Sequence, residues 1–471
     1  MEVPAVPQLA PTGHTSAPPH DGRAPARPGA ALTVTAAATA VALMNYTAPM
    51  LTLPDTAAAF GTPPSAQAWL LNGTPLGLAV LLLVAGSLAD AHGRRRIFLL
   101  GTLALGLTTA LGALADSTLT FTAARIAQGA ASAAVLAGSL GLLAHAYPAG
   151  RDRIRATGIW GASVSAGIAL GPLLAGALSL ADWRLVYGTL GAAALVIAGA
   201  GARALRADET KREGSGSRPD IAGATALGLA LAALLTALTL GRDGWLRPQV
   251  GLLLFAAVAL TALFVAVERR SRTPMVDLAL LRRPAFLAST LGALFTGLAV
   301  IGLFSVVPAL LQGGAGMSPL GAAWLFVLWS GTAFLVALQA RRLPARLSAP
   351  YQLALGFALS AAGVLALLGG LEGPTASWSR LLPGLLVAGA GSGLLNAALP
   401  RLAVDSVPPE RAAMGSGANN TARYIGSSAG VALMLALATA GTGPDTAVVV
   451  SAALAVTGAV VTLTLGRRPR R

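Results

Sequence analysis

The stretch that decides the reading is Gly86-Ser87-Leu88-Ala89-Asp90-Ala91-His92-Gly93-Arg94-Arg95-Arg96. It is short, basic and polar, and apolar runs at about 66–89 and 97–115 flank it. Each run has about the 20 residues that a hydrocarbon core demands of a helix. Further runs lie at about 31–53, 119–146, 156–178, 185–204, 220–241, 249–267, 285–311, 318–340, 351–370, 381–403, 412–440 and 446–466. The chain therefore reads as an all-α polytopic membrane protein of fourteen transmembrane helices. Its 471 residues are 55% hydrophobic and only 11% charged, with a mean hydropathy of +0.70. So few charges cannot cover a soluble globule of this size, where roughly 25% is usual. A soluble enzyme, a disordered chain and a nucleic-acid binder are excluded, although the isoelectric point is near 11.5. With no cysteine there is no disulfide, thiolate metal site or cysteine nucleophile.

The cations explain the isoelectric point. All of the 33 Lys and Arg residues fall on one side of the bilayer except Arg125, Arg184, Arg242, Arg247, Arg380 and Arg423. Lipid-facing loops rich in arginine mark the cytoplasmic side, so both termini are expected there. Residues 1–30, with seven prolines, are read as a disordered cytoplasmic tail and not as a cleaved signal peptide. Residues 31–205 form a six-helix bundle, 206–219 a cytoplasmic linker and 220–267 two extra central helices. Residues 285–466 form a second six-helix bundle, which gives a 6+2+6 order.

Four motifs carry a resemblance. Gly86, Asp90, Gly93 and Arg94 form a G-x-x-x-D-x-x-G-R pattern between two spans. Arg125, Gln128 and Gly129 form R-x-x-Q-G in span four, where an arginine is costly and therefore a functional candidate. Gly167, Gly171, Pro172 and Gly176 punctuate span five, and Trp183-Arg184 follows it. Near the end, Gly415-Ser416-Gly417, Asn420, Arg423, Gly426 and Gly430 share one span. Together these resemble the major facilitator superfamily, and within it the fourteen-span drug/proton antiporter branch of EmrB/QacA type. The resemblance implies secondary active export of small amphipathic molecules such as drugs, antibiotics or secondary metabolites. It implies proton antiport by alternating access between two six-helix halves. A facilitator or nutrient importer of the same superfamily is the alternative. It further implies a monomer in a bacterial inner membrane, with a small-molecule substrate, protons and lipid as partners. No cofactor, metal, nucleic acid or enzymatic activity is implied. The glycines, with Pro172, Asp90, Arg94, Arg125 and Gln128, are the expected transport and gating residues. Gly86 is expected to let two helices approach closely.

One position departs from the family pattern. Where its first span carries an aspartate, this chain has Met44-Asn45-Tyr46-Thr47, followed by Leu53-Pro54. All 18 acids sit at span ends, in loops or in the tail. The polar groups at bilayer depth are Asn45, Tyr46, Thr47, Asn72, Gln128, Asn396 and Asn420, with Arg125 and Arg423 adding positive charge. Of these, Asn45, Tyr46, Thr47, Asn72, Asn396, Asn420 and Arg423 are the expected cavity lining. Such a lining favours neutral or anionic substrates over cations, which would lose hydration without a counter-charge. An aspartate at position 45 is expected to widen the range toward cations. Trp160, Trp324 and Trp329 are cavity or interface residues on this reading.

Overall fold

The computed structural model describes residues 28–466 apart from 148–150, 206–220, 242–243, 245, 272–279, 281, 341–347, 374–377, 409–411 and 440–442. Residues 1–27 of the expected tail and the expected linker 206–219 lie outside the described residues.

Every apolar run falls on helix. In chain order these are α1 Pro28–Thr47, α2 Pro49–Phe60, α3 Gln67–His92, α4 Arg94–Ala113, α5 Thr118–Ala146 and α6 Arg151–Leu178. Next come α7 Trp183–Ala204, α8 Ile221–Gly241, α9 Pro248–Arg270, α10 Pro284–Phe295, α11 Gly302–Ala315 and α12 Pro319–Ala340. The chain continues through α13 Ala349–Leu365, α14 Trp378–Asp405, α15 Ala412–Thr439 and α16 Pro444–Gly466. Among the described residues 11 helices are long and apolar enough to cross a membrane, and three shorter apolar helices cover Gln67–Leu82, Thr225–Leu234 and Ala349–Leu365. Large apolar side chains point outward along them, among them Leu107 and Leu111 on α4 and Leu252, Phe255 and Val258 on α9. Apolar surface of this extent needs lipid as its solvent. Hydroxyl groups turn inward onto their own helix: Thr35, Thr102 and Thr109 donate to the carbonyls four residues back at 2.7, 2.8 and 2.6 Å.

Three boundaries differ from expectation. The first span does not stop at Leu53-Pro54. Helix continues through Pro54 to Phe60, so Asp55 lies within it. Pro54 lies inside α2, where its missing N–H leaves the carbonyl of Met50 without the usual helical donor. Arg94–Arg96 are not loop but the first turn of α4. Cations are unfavourable at a helix N-terminus, and two of these reach instead to the C-terminal carbonyls of other helices. Arg94 donates to Gly141 O on α5 at 3.2 Å, and Arg95 donates to Leu205 O at 2.9 Å and Ala202 O at 3.0 Å at the end of α7. Finally, 285–311 is not one α-helix: a π-helix over Thr296–Ile301 separates α10 from α11.

Two groups of helices meet along α3 with α15 and α6 with α12. The α8–α9 pair packs on itself, with α8 also touching α3 and α15. Small residues make the close crossings. A Cβ on Gly129 of α5 would strike the backbone of Thr74 and Gly77 on α3. Gly389 of α14 abuts Trp329 O, and Gly391 and Gly393 abut the backbones of α13 and α12.

Candidate functional site

A cavity of about 920 Å³, its mouth included, lies between the two groups of helices. On α1–α2 the lining residues Leu43, Tyr46, Thr47 and Met50 follow i, i+3, i+4, i+7, one face of a helix. On α12 the same spacing brings Phe326, Trp329, Ser330 and Ala333 to the wall. Val164, Ser165 and Ile168 come from α6, and Thr296, Val300 and Ile301 from the π-helix. Phe304, Ser392, Asn396, Arg423 and Tyr424 complete the polar and aromatic part.

The aromatic rings form two ordered groups. Phe304 and Trp329 stack with centroids 4.3 Å apart and planes 10° from parallel, and Phe326 meets Trp329 edge-on at 5.1 Å. The Trp329 indole N–H donates to Ser392 Oγ at 3.2 Å. Across the cavity Tyr46 meets Tyr424 edge-on at 5.8 Å, and the Tyr46 hydroxyl lies 3.0 Å from Ser427 Oγ. Among the described residues Arg423 is the one charged residue of the wall, and no Asp or Glu lines it. Its Nη2 donates to Asn420 Oδ1 at 2.9 Å, and the guanidinium carbon lies 5.5 Å from the Tyr424 ring centre. Its Nε is buried without an acceptor.

Of the expected cavity residues, Tyr46, Thr47, Asn396 and Arg423 are on the wall. Asn45, Asn72 and Asn420 are not. Asn45 sits one residue, or about 100° of helix, from Tyr46 and faces α4. Its amide donates to Val41 O at 3.2 Å and accepts from Thr109 Oγ1 at 3.3 Å. Asn72 crosses between the helix groups and donates to Ser428 O at 2.9 Å. Asn420 stands behind Arg423. Trp160 donates to Thr39 Oγ1 at 2.9 Å outside the cavity, and Trp324 is exposed. The sequence reading missed Phe304, Phe326, Ser330, Ser392 and Tyr424. The helical spacing of Phe326, Trp329, Ser330 and Ala333 was the available signal, but it points to a cavity only once the facing helix is known.

The motif residues divide by what they touch. Arg125 is 0% exposed within α5. It donates to Gln128 Oε1 and, at 2.7 Å, to Asn45 O, and sits 5.7 Å from the Tyr187 ring centre. Gln128 in turn donates to Thr108 O at 3.2 Å. This polar core is separate from the cavity. Gly167 and Gly171 hold α6 tight against α1, where Cβ atoms would strike Leu43 Cβ at 2.8 Å and Met44 O at 2.8 Å. Gly176 does the same across the helix groups, 2.9 Å from Pro319 O of α12. Pro172 lies inside α6 and is buried. Gly86 does not serve a close approach: a Cβ there meets nothing within 4 Å. Gly93 has φ +95°, a conformation that disfavours any side chain and sharply separates α3 from α4. Asp90 falls in the last turn of α3, and its side chain lies outside the described residues.

The signature of the Major Facilitator Superfamily matches residues 35–431. The chain belongs to the major facilitator superfamily. It is accordingly a helical membrane transporter and not an enzyme. It is 32% identical over 385 residues to the multidrug resistance protein Stp of Mycobacterium tuberculosis, covering 81% of this chain and 70% of that one. It is likewise 32% identical over 418 residues to the puromycin resistance protein pur8 of Streptomyces alboniger, covering 87% and 82%. Among solved structures it resembles a bacterial homologue of the human lysosomal transporter Spinster, crystallised inward-facing and unoccupied. That match has a TM-score of 0.67 at 17% identity and covers 93% of this chain and 97% of the other, a likeness of fold.

Proposed function

We propose that this chain exports small amphipathic molecules across a bacterial inner membrane by proton antiport, as a monomer of fourteen spans with both termini cytoplasmic. The observation that carries the reading is the aromatic cavity between the two helix groups. Alternating access requires such a site near the pivot of two rocking halves. The bridging contacts support one closed end. Asn72 to Ser428 O, Gln312 to Leu51 O at 3.1 Å and Gly176 against Pro319 all lie toward the helix ends remote from Arg94–Arg96. The cavity then opens to the cytoplasm, where an exporter takes up its cargo. The names of the multidrug and puromycin resistance relatives agree with export. Asp90, beside Gly93 and Arg94, is the proposed charge that biases one conformer, and Arg125, Gln128, Gly129 and the α6 glycines are the proposed moving joints.

One observation favours a facilitator instead: among the described residues no carboxylate lines the cavity to exchange a proton. The experiment that separates the two is accumulation of a panel of amphipathic antibiotics in a pump-deficient bacterial host, with and without a protonophore. Expression is expected to lower accumulation, and the protonophore to abolish the difference. Transport that persists unchanged without the gradient would establish the facilitator.

A further inference from the structure

Resting on the reading that this cavity holds the transported molecule, we propose that it selects planar aromatic anions and that Arg423 is their counter-charge. A guanidinium has five N–H donors and needs acceptors for them when removed from water. Arg423 has one amide acceptor, Asn420 Oδ1, and the face of Tyr424. Its Nε is buried with no acceptor, and no carboxylate pairs with it among the described residues. An isolated cation inside a membrane is costly, and an anion on the cavity side would offset that cost. The neighbouring surface suits the rest of such a ligand. The stacked pair Phe304–Trp329 presents flat aromatic area, on which a planar ring gains a further stacking contact. The wall polar groups Ser392 and Asn396 are neutral, so among the described lining residues a cation finds ring faces but no carboxylate, and it is repelled by Arg423.

The alternative is that Arg423 serves only to fasten α15, as Arg125 fastens α5. The contacts differ on this point. Both have a buried Nε without an acceptor, but Arg125 is fully enclosed and engaged by a side chain, a backbone carbonyl and a ring, whereas Arg423 is half-buried on the wall of the cavity, where a ligand can reach it.

The test is equilibrium binding to the detergent-purified full chain of anthraquinone-2-carboxylate, its neutral carboxamide and ethidium. The carboxylate is expected to bind about tenfold or more tighter than the carboxamide, the scale of a hydrogen bond to a charged group. Ethidium is expected to bind weakest. Arg423→Gln should erase the preference by lowering carboxylate affinity to about that of the carboxamide, Arg423→Lys should keep part of it, and Trp329→Leu should weaken both anthraquinones alike. Equal affinity of the wild type for carboxylate and carboxamide, tighter binding of ethidium, failure of all probes to bind, or parallel loss of both anthraquinones in Arg423→Gln would each overturn the proposal. If Arg423→Gln does not fold, the wild-type comparison decides alone. The readout needs no gradient. A chain that binds the carboxylate selectively but transports nothing refutes the transport reading and keeps the site. One that exports all three probes equally keeps transport and refutes the site.

Discussion

Arg125 and Arg423 are two guanidinium groups placed within membrane-depth helices, and neither has a carboxylate partner among the described residues. Their surroundings part them. Arg125 is wrapped by α1, α5 and α7 and donates to Gln128 and the backbone of Asn45, with Tyr187 beneath it, while its Nε, like that of Arg423, is buried without an acceptor. Arg423 borders the cavity, with one amide behind it. The same residue type is thus enclosed mortar in one half of the protein and a wall group in the other. Residue type alone does not separate a structural charge from a ligand-binding one. The presence of adjoining space does.

The comparison breaks most readily at Arg125. Arg125→Ala removes the donor to two buried acceptors and leaves a void, so it should destabilise the fold by about 3 kcal/mol or more. Arg423→Ala, which strands only one half-exposed acceptor, should cost no more than about 1 kcal/mol. Thermal unfolding in detergent measures both, and similar melting temperatures would dissolve the distinction. A smaller effect is expected at Asn45. Asn45→Asp removes the amide donor to Val41 O and buries a carboxyl group on the α4 side, where Arg125 touches only the backbone carbonyl of this residue, and should destabilise the fold by about 1–2 kcal/mol. Because Asn45 faces α4 and not the cavity, this variant should leave the ranking of cations and anions in export unchanged. A gain of ethidium export by Asn45→Asp would show that the two arginine environments communicate. The smallest effect is expected from Asn420→Ala. It removes the amide acceptor of Arg423 and should weaken anthraquinone-2-carboxylate binding a few-fold, about 0.5–1 kcal/mol, without moving the melting temperature appreciably.

Much of the fold was legible because run length is a strong signal in lipid: all fourteen apolar runs fall on helix, and Arg94–Arg96 mark a helix boundary. The π-helix at Thr296–Ile301 and the passage of helix through Pro54 were not legible. The cavity was half legible. Tyr46 and Arg423 stand out as polar groups in apolar helices and do reach the wall. Asn45 and Asn72 stand out equally and do not. These helices are apolar on nearly every side, so no amphipathic stripe announces which face meets the other half. The aromatic residues Phe304 and Phe326 carry no mark at all until α11 and α12 are seen side by side.

The two hydrogen-bonded arginines at the head of α4 have a history as well as a position. While the chain is being inserted, with α5 and α7 not yet in place, Arg94 and Arg95 have no helix ends to reach. In the proposed orientation they then act as free charges that hold their loop on the cytoplasmic side of the translocation machinery. Once α5 and α7 arrive, the same side chains become donors to Gly141, Ala202 and Leu205. A signal read during biosynthesis is thereby consumed in the finished structure. The order of synthesis decides when: Arg94 can find Gly141 as soon as α5 is inserted, while Arg95 must wait for α7, the last helix of the first bundle.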